Sequence, residues 1–185
     1  MKKPLFRPFL AALLLAAPLF ATSCKDDKED PQPDDENELI TTVRYTLTPV
    51  GGGAAVTAES KDLDGDGGNA PVTSTLTLAA NTTYTGTITF LDESKSPAED
   101  ITAEVSAESD EHLVVYTPAP ANLVSITRTD RDAKNLEVGL TTRLVTTAAA
   151  TGTLKVDLRH QPGTKNGTDT PGSSDADVTF PVVVR

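Results

Sequence analysis

The chain has 185 residues, with 16 Lys and Arg against 27 Asp and Glu, and a formal charge of −11. That length suits one domain of ordinary size. A surface this acidic repels phosphate backbones and anionic lipid heads, which argues against a nucleic-acid partner.

Residues 1–23 have the parts of an export signal. Lys2, Lys3 and Arg7 supply the positive front, and an apolar run from Phe9 to Phe20 follows that is too short to span a bilayer. Small residues then lead to Cys24. It is the only cysteine of the chain, so no intramolecular disulfide can form. The stretch Phe20-Ala21-Thr22-Ser23-Cys24 resembles a bacterial lipobox, with Ala21 where leucine is commonest. The resemblance implies cleavage before a lipid-modified Cys24 and a stable membrane anchor, since several acyl chains hold where one does not. Loss of residues 1–23 would remove three of the 16 basic residues and no acid. The mature chain would then hold 13 basic and 27 acidic residues, a formal charge of −14.

From Cys24 to Glu38 the sequence reads as a lipidated cysteine and a tether. Residues 25–38, KDDKEDPQPDDENE, carry eight acids, two lysines, two prolines and no apolar side chain. Such a segment cannot bury enough surface to offset chain entropy, so it is expected to be a self-repelling spacer. Lys25, Asp26 and Asp27, directly after the cysteine, resemble the export signal of surface lipoproteins in Bacteroidota. That resemblance implies display on the cell exterior, with the periplasmic face of the outer membrane as the alternative.

Residues 39–185 read as one β-rich domain. Val43, Tyr45 and Leu47 alternate with polar residues, as do Ile88 and Phe90, then Leu154, Val156 and Leu158, then Val178, Phe180, Val182 and Val184. A period of two marks half-buried strands. Further strands are expected near 54–60, 72–79, 112–118, 121–127 and 136–146, and Pro181 points to a sheet edge. About nine strands separated by Gly- and Asn-rich turns predict an all-β, immunoglobulin-like antiparallel sandwich, with a small barrel as the alternative. Residues 96–112 break the rhythm. Ser96 as N-cap, Pro97 in the first turn and Glu99 at capping-box spacing predict a short helix that buries Ile101 and Val105.

The stretches ELITTVRYTLT, DLDGDGGNAP, LAANTTYTGTITFLDE, PAEDIT and LRHQPGTKNG…DVTFPV are similar to a group of small lipoproteins from Bacteroidota, over nearly all of residues 38–185. Some of that group carry a name invoking a type 1 periplasmic-binding fold. That fold is a two-lobed α/β protein, larger and far more helical than this pattern allows. The resemblance implies a surface or periplasmic lipoprotein and no particular activity.

The chemistry-bearing residues are few. Cys24 is consumed by lipid, no G-x-S-x-G elbow occurs, and only His112 and His160 offer imidazole, so no enzyme is expected. His160 shares the inward parity of Leu154, Val156 and Leu158. Its commoner reading is a hydrogen-bonded, partly buried histidine, and its sharper one a ligand. Asp100, Glu104, Glu108 and Glu111 would form one acidic stripe if the helix ran that far. Glu108 and His112, four apart, could then share a divalent metal, although such a stripe is commonly just a solvated face. Asp62, Asp64, Asp66 and Gly67 match the start of a Ca²⁺ loop. Thr73 stands where an EF-hand needs a bidentate glutamate, so a site here would borrow oxygens from Glu59 or Asp92. The plain alternative is a glycine-rich hairpin loop. The expectation is a surface lipoprotein with a non-enzymatic binding or accessory role, for instance beside an outer-membrane uptake receptor. The alternatives are capture of Ca²⁺ or another divalent cation, and a structural role in the envelope.

Overall fold

The computed structural model of the protein describes residues 39–65 and 67–185. Cys24, the Lys25-Asp26-Asp27 signal, the tether and Asp66 lie outside the described residues. Among the described residues, eleven strands and one helix occur in the order β1 (Thr42–Pro49), β2 (Val56–Lys61), β3 (Val72–Thr73), β4 (Leu76–Leu78), β5 (Thr83–Asp92), β6 (Glu99–Asp100), α1 (Thr102–Ala107), β7 (His112–Ala119), β8 (Val124–Arg128), β9 (Thr141–Thr146), β10 (Ala150–His160) and β11 (Ser173–Val184).

They form two open sheets, β3-β2-β1-β5-β9-β8 with β6 beside β5, and β4-β11-β10-β7. The fold is an all-β sandwich, and neither sheet closes into a barrel. The two-residue period places Val43, Tyr45 and Leu47 of β1 opposite Phe90, Ile88 and Gly86 of β5. In the other sheet, Leu154 of β10 is the cross-strand neighbour of Phe180 of β11. These side chains join one core with Tyr84, Leu144, Val156, Val182 and Val184. Each fully buried Leu, Ile or Phe contributes about 1.5–3 kcal/mol relative to exposure. Two tyrosine hydroxyls packed in this core are satisfied: Tyr45 Oη lies 2.7 Å from Thr142 Oγ1, and Tyr116 Oη donates to the Gly139 carbonyl at 2.7 Å. Gly86 makes room for the first pair, because a Cβ there would strike both hydroxyls.

Several elements depart from the sequence expectation. The segment near 72–79 is split: β3 pairs β2 in one sheet, and after Ser74 the chain crosses to pair β4 with β11 in the other. That pairing is parallel, the one exception to an otherwise antiparallel set. Pro181 sits where β11 is paired with β10 alone, β4 joining only at Val182, which suits a residue without an N–H.

The helix is shorter than the capping signals predicted. It starts at Thr102 after Ile101, because Glu99 and Asp100 pair as β6 along the edge of β5 that β9 leaves open. The capping-box glutamate is thereby diverted, and Glu99 forms an ion pair with Lys95. The Thr102 hydroxyl accepts from Phe90 N at 2.9 Å and contacts the Phe90 carbonyl, seating the helix on β5 with Ile101 and Val105 buried.

Candidate functional site

One end of the second sheet gathers the two histidines of the chain. His112 opens β7 and His160 closes β10, and the register makes them direct cross-strand partners. Their inward parity, shared with Val114 and Leu158, turns both rings toward the interior. The rings stack, with centroids 4.8 Å apart and planes 8° from parallel.

The third member comes from β11 through a β-bulge. The register of β10 against β11 slips after Leu158, so that Leu158 faces Ala176 while Arg159 faces Ser174. Asp175 is the extra residue, and a bulge re-aims the side chain it carries. Its carboxylate lies inside the sandwich with the side chain only 3% exposed. Oδ2 is 3.6 Å from His112 Nε2, and Oδ1 is 4.0 Å from His160 Nδ1. Ligand atoms of His112, His160 and Asp175 all fall within 4.8 Å of one another.

The turn from β10 into β11 holds this arrangement. Gly172, at φ 76°, passes so close to the chain that an added Cβ would strike the His160 carbonyl. Buried Gln161 donates from Nε2 to the Thr168 and Pro171 carbonyls, and its N–H donates to Glu111 O at 2.6 Å. Arg159 closes the same turn on the Gly172 carbonyl at 2.6 Å.

A cleft of about 150 Å³ lies alongside, between β1 and β2 of one sheet and β11 of the other. Thr41, Ser60, Asp62, Asp175 and Val178 are among its lining residues. Asp62 and Asp175 therefore share one cleft, although they belong to different motifs.

The residues singled out from sequence fall as follows. His112 is in a strand, not on the helix, because α1 stops at Ala107. Glu108 meets His112 through its main-chain carbonyl, 3.1 Å from Nδ1, and its carboxylate is exposed. The helical spacing of that pair thus does not bring a carboxylate to the imidazole. Glu111, in the turn before β7, places Oε2 3.7 Å from His160 Nε2.

In the aspartate loop, Asp62 accepts from Gly65 N at 2.9 Å. Asp64 Oδ2 accepts from Asn69 N and Nδ2 at 2.9 and 2.7 Å. These bonds, the Asn69 N–H first, hold the Asp64 carboxyl below its ordinary value. Glu59 is engaged by Arg44 and Lys61, and Asp92 by Ser94 and Lys95, so neither turns to the loop. His160 had a visible signal in its strand parity. Asp175 had none, because a bulge is set by pairing and not by local pattern.

Among the described residues, no helix is long and apolar enough to cross a membrane. Comparison with protein-family models, with curated proteins and with solved structures gives no match to this chain.

Proposed function

We propose that the chain is a lipid-anchored outer-membrane protein, facing the cell exterior, whose β-sandwich binds a small ligand rather than catalysing a reaction. The observation that carries the anchor is Cys24, the sole cysteine, placed directly after an apolar run and before an acidic tether. The lysine and two aspartates that follow support the exterior face, and the similarity to Bacteroidota lipoproteins supports the class. An accessory place beside an outer-membrane uptake receptor fits such an anchor.

A binding role suits the scale of the cleft at Asp175. At about 150 Å³ it has room for an ion with its water or a small polar group. Pockets that take drug-sized organic ligands run to roughly 300–1,000 Å³. A divalent cation is favoured within that role by the grouping of two imidazoles and a carboxylate beside it.

Labelling of growing cells with a radioactive fatty acid tests the anchor. Label is expected on the wild-type protein and not on Cys24→Ala, which should leave the membrane fraction. An unlabelled wild type, or a Cys24→Ala variant that stays membrane-bound, removes the reading. Protease treatment of intact cells is expected to digest the domain; survival until lysis would place it on the periplasmic face.

A further inference from the structure

We propose that His112, His160 and Asp175 form a site for one divalent transition-metal ion of the zinc and copper class. The proposal deepens the binding role above and rests on it. Its first support is the state of Asp175. A buried carboxylate needs a compensating cation or a full set of hydrogen bonds. Among the described residues, the ion-pair partners of Asp175 are the two imidazoles alone, and Oδ1 is buried without a hydrogen bond.

The second support is the proton inventory of His112. Its Nδ1 faces the Glu108 carbonyl at 3.1 Å, and a carbonyl only accepts, so Nδ1 carries the proton. The other ring nitrogen, Nε2, faces Asp175 Oδ2 at 3.6 Å. A positive species between this imidazole and the carboxylate, a proton or a metal, would compensate the buried charge. The metal answers for both histidines at once, because His160 Nδ1 faces the other oxygen of the same carboxylate at 4.0 Å.

The donor set selects the ion. Two imidazole nitrogens and one carboxylate oxygen suit zinc or copper, whereas Ca²⁺ and Mg²⁺ take six or more oxygens. Three protein ligands leave a position for water or a guest group. A supporting contact of the kind that orients metal-bound imidazoles is in place on His112, from the Glu108 carbonyl, and the Glu111 carboxylate lies 3.7 Å from the far nitrogen of His160.

Tetrahedral zinc with bonds of about 2.0–2.1 Å sets ligand atoms roughly 3.3 Å apart. The two nitrogen–oxygen separations, 3.6 and 4.0 Å to different oxygens of Asp175, are longer than that, so they and the widest separation, within 4.8 Å, have to shorten on binding. Nearly parallel rings cannot both aim at one ion. His112 is anchored on Glu108, so His160 is the ring that turns. Of the three ligands, Asp175 is the one that also lines the neighbouring cleft.

The test uses full-length protein, purified in detergent, stripped with a chelator and titrated with zinc chloride by calorimetry. One zinc per chain is expected. Asp175→Asn and His160→Gln should each weaken binding tenfold or more, with Glu111→Gln weakening it less. A wild type that takes up no zinc overturns the proposal. So does zinc binding left unchanged by Asp175→Asn and His160→Gln, which would put the ion elsewhere. If either variant fails to melt cooperatively in chelator, the wild type still decides: the imidazole ¹⁵N resonances of His112 and His160 must shift with zinc, and zinc bound without that shift refutes the site. Fatty-acid labelling reads the anchor independently, so a labelled protein that ignores zinc loses this site and keeps its membrane role.

Discussion

Asp132 and Asp175 are both buried aspartates, and they are neutralised in different ways. Asp132 sits in the loop between β8 and β9. Lys165 Nζ, from the loop between β10 and β11, lies 2.9 Å from its Oδ2, with both side chains all but fully buried. The contact is electrostatic rather than a well-directed hydrogen bond. Oδ1 accepts from the Lys134 and Leu136 N–H groups, and Lys165 also donates to the Ser109 carbonyl at 2.7 Å. Among the described residues, the ion-pair partners of Asp175 are imidazoles. A lysine is charged throughout the neutral range, whereas an imidazole is charged only when a proton is supplied. The first carboxylate is therefore the fixed pin of three loops, and the second depends on what the site is given.

The largest consequence follows from the pin. Lys165→Met leaves Asp132 buried and uncompensated, and should cost about 3–5 kcal/mol in a urea titration at neutral pH. Adding Asp132→Leu to that variant should recover much of the loss, since an apolar pair of similar volume is often neutral. A single variant within about 1 kcal/mol of wild type would show that the pair is not the fixed one and would break the contrast with Asp175.

Acid sharpens the same contrast. Burial acts to raise the Asp132 carboxyl, but Lys165 and the Leu136 and Lys134 N–H groups outweigh it and hold it below its ordinary value of 3.8. A carboxyl depressed on folding adds stability above its unfolded value and loses it as pH falls through the folded one. Unfolding midpoints measured from pH 5 down to 2 should therefore drop more steeply below 3.8 in wild type than in Asp132→Asn. Parallel curves would mean that Asp132 takes no part in acid unfolding. Asp175→Asn is expected to do less than either. In chelator at neutral pH it should shift stability by under about 1 kcal/mol, because it removes a charge that has no fixed partner along with its imidazole contacts.

Much of the sandwich was legible because alternation is a local signal. Tyr45, Ile88, Leu154 and Phe180 each lie inward where a period of two puts them. The capping box at Ser96 and Glu99 misled because an unpaired strand edge on β5 competes for the same backbone groups, and the edge takes Glu99 and Asp100. His160 was readable as inward. The partner of His112 was not, since helical spacing pointed to Glu108 while strand register delivered His160 and a bulge delivered Asp175. The pin was invisible for the same reason: TDRDAKN and GTKNG both read as turns, and nothing in either names the other.

The aspartate loop marks the lower end of the scale. Its motif is the most conspicuous in the sequence, yet Asp62 and Asp64 spend oxygens on the N–H groups of their own loop. Asp64 also takes the Asn69 amide, so a cation arriving there would compete with bonds already made. Ca²⁺ at millimolar concentration should leave the thermal midpoint of the full-length protein unmoved, and Asp64→Asn should leave both the midpoint and zinc uptake unchanged. The opposite result, a midpoint that rises with Ca²⁺ and no longer does so in Asp64→Asn, would make the loop a cation site in its own right. The shared cleft of Asp62 and Asp175 would then have to be treated as one continuous site.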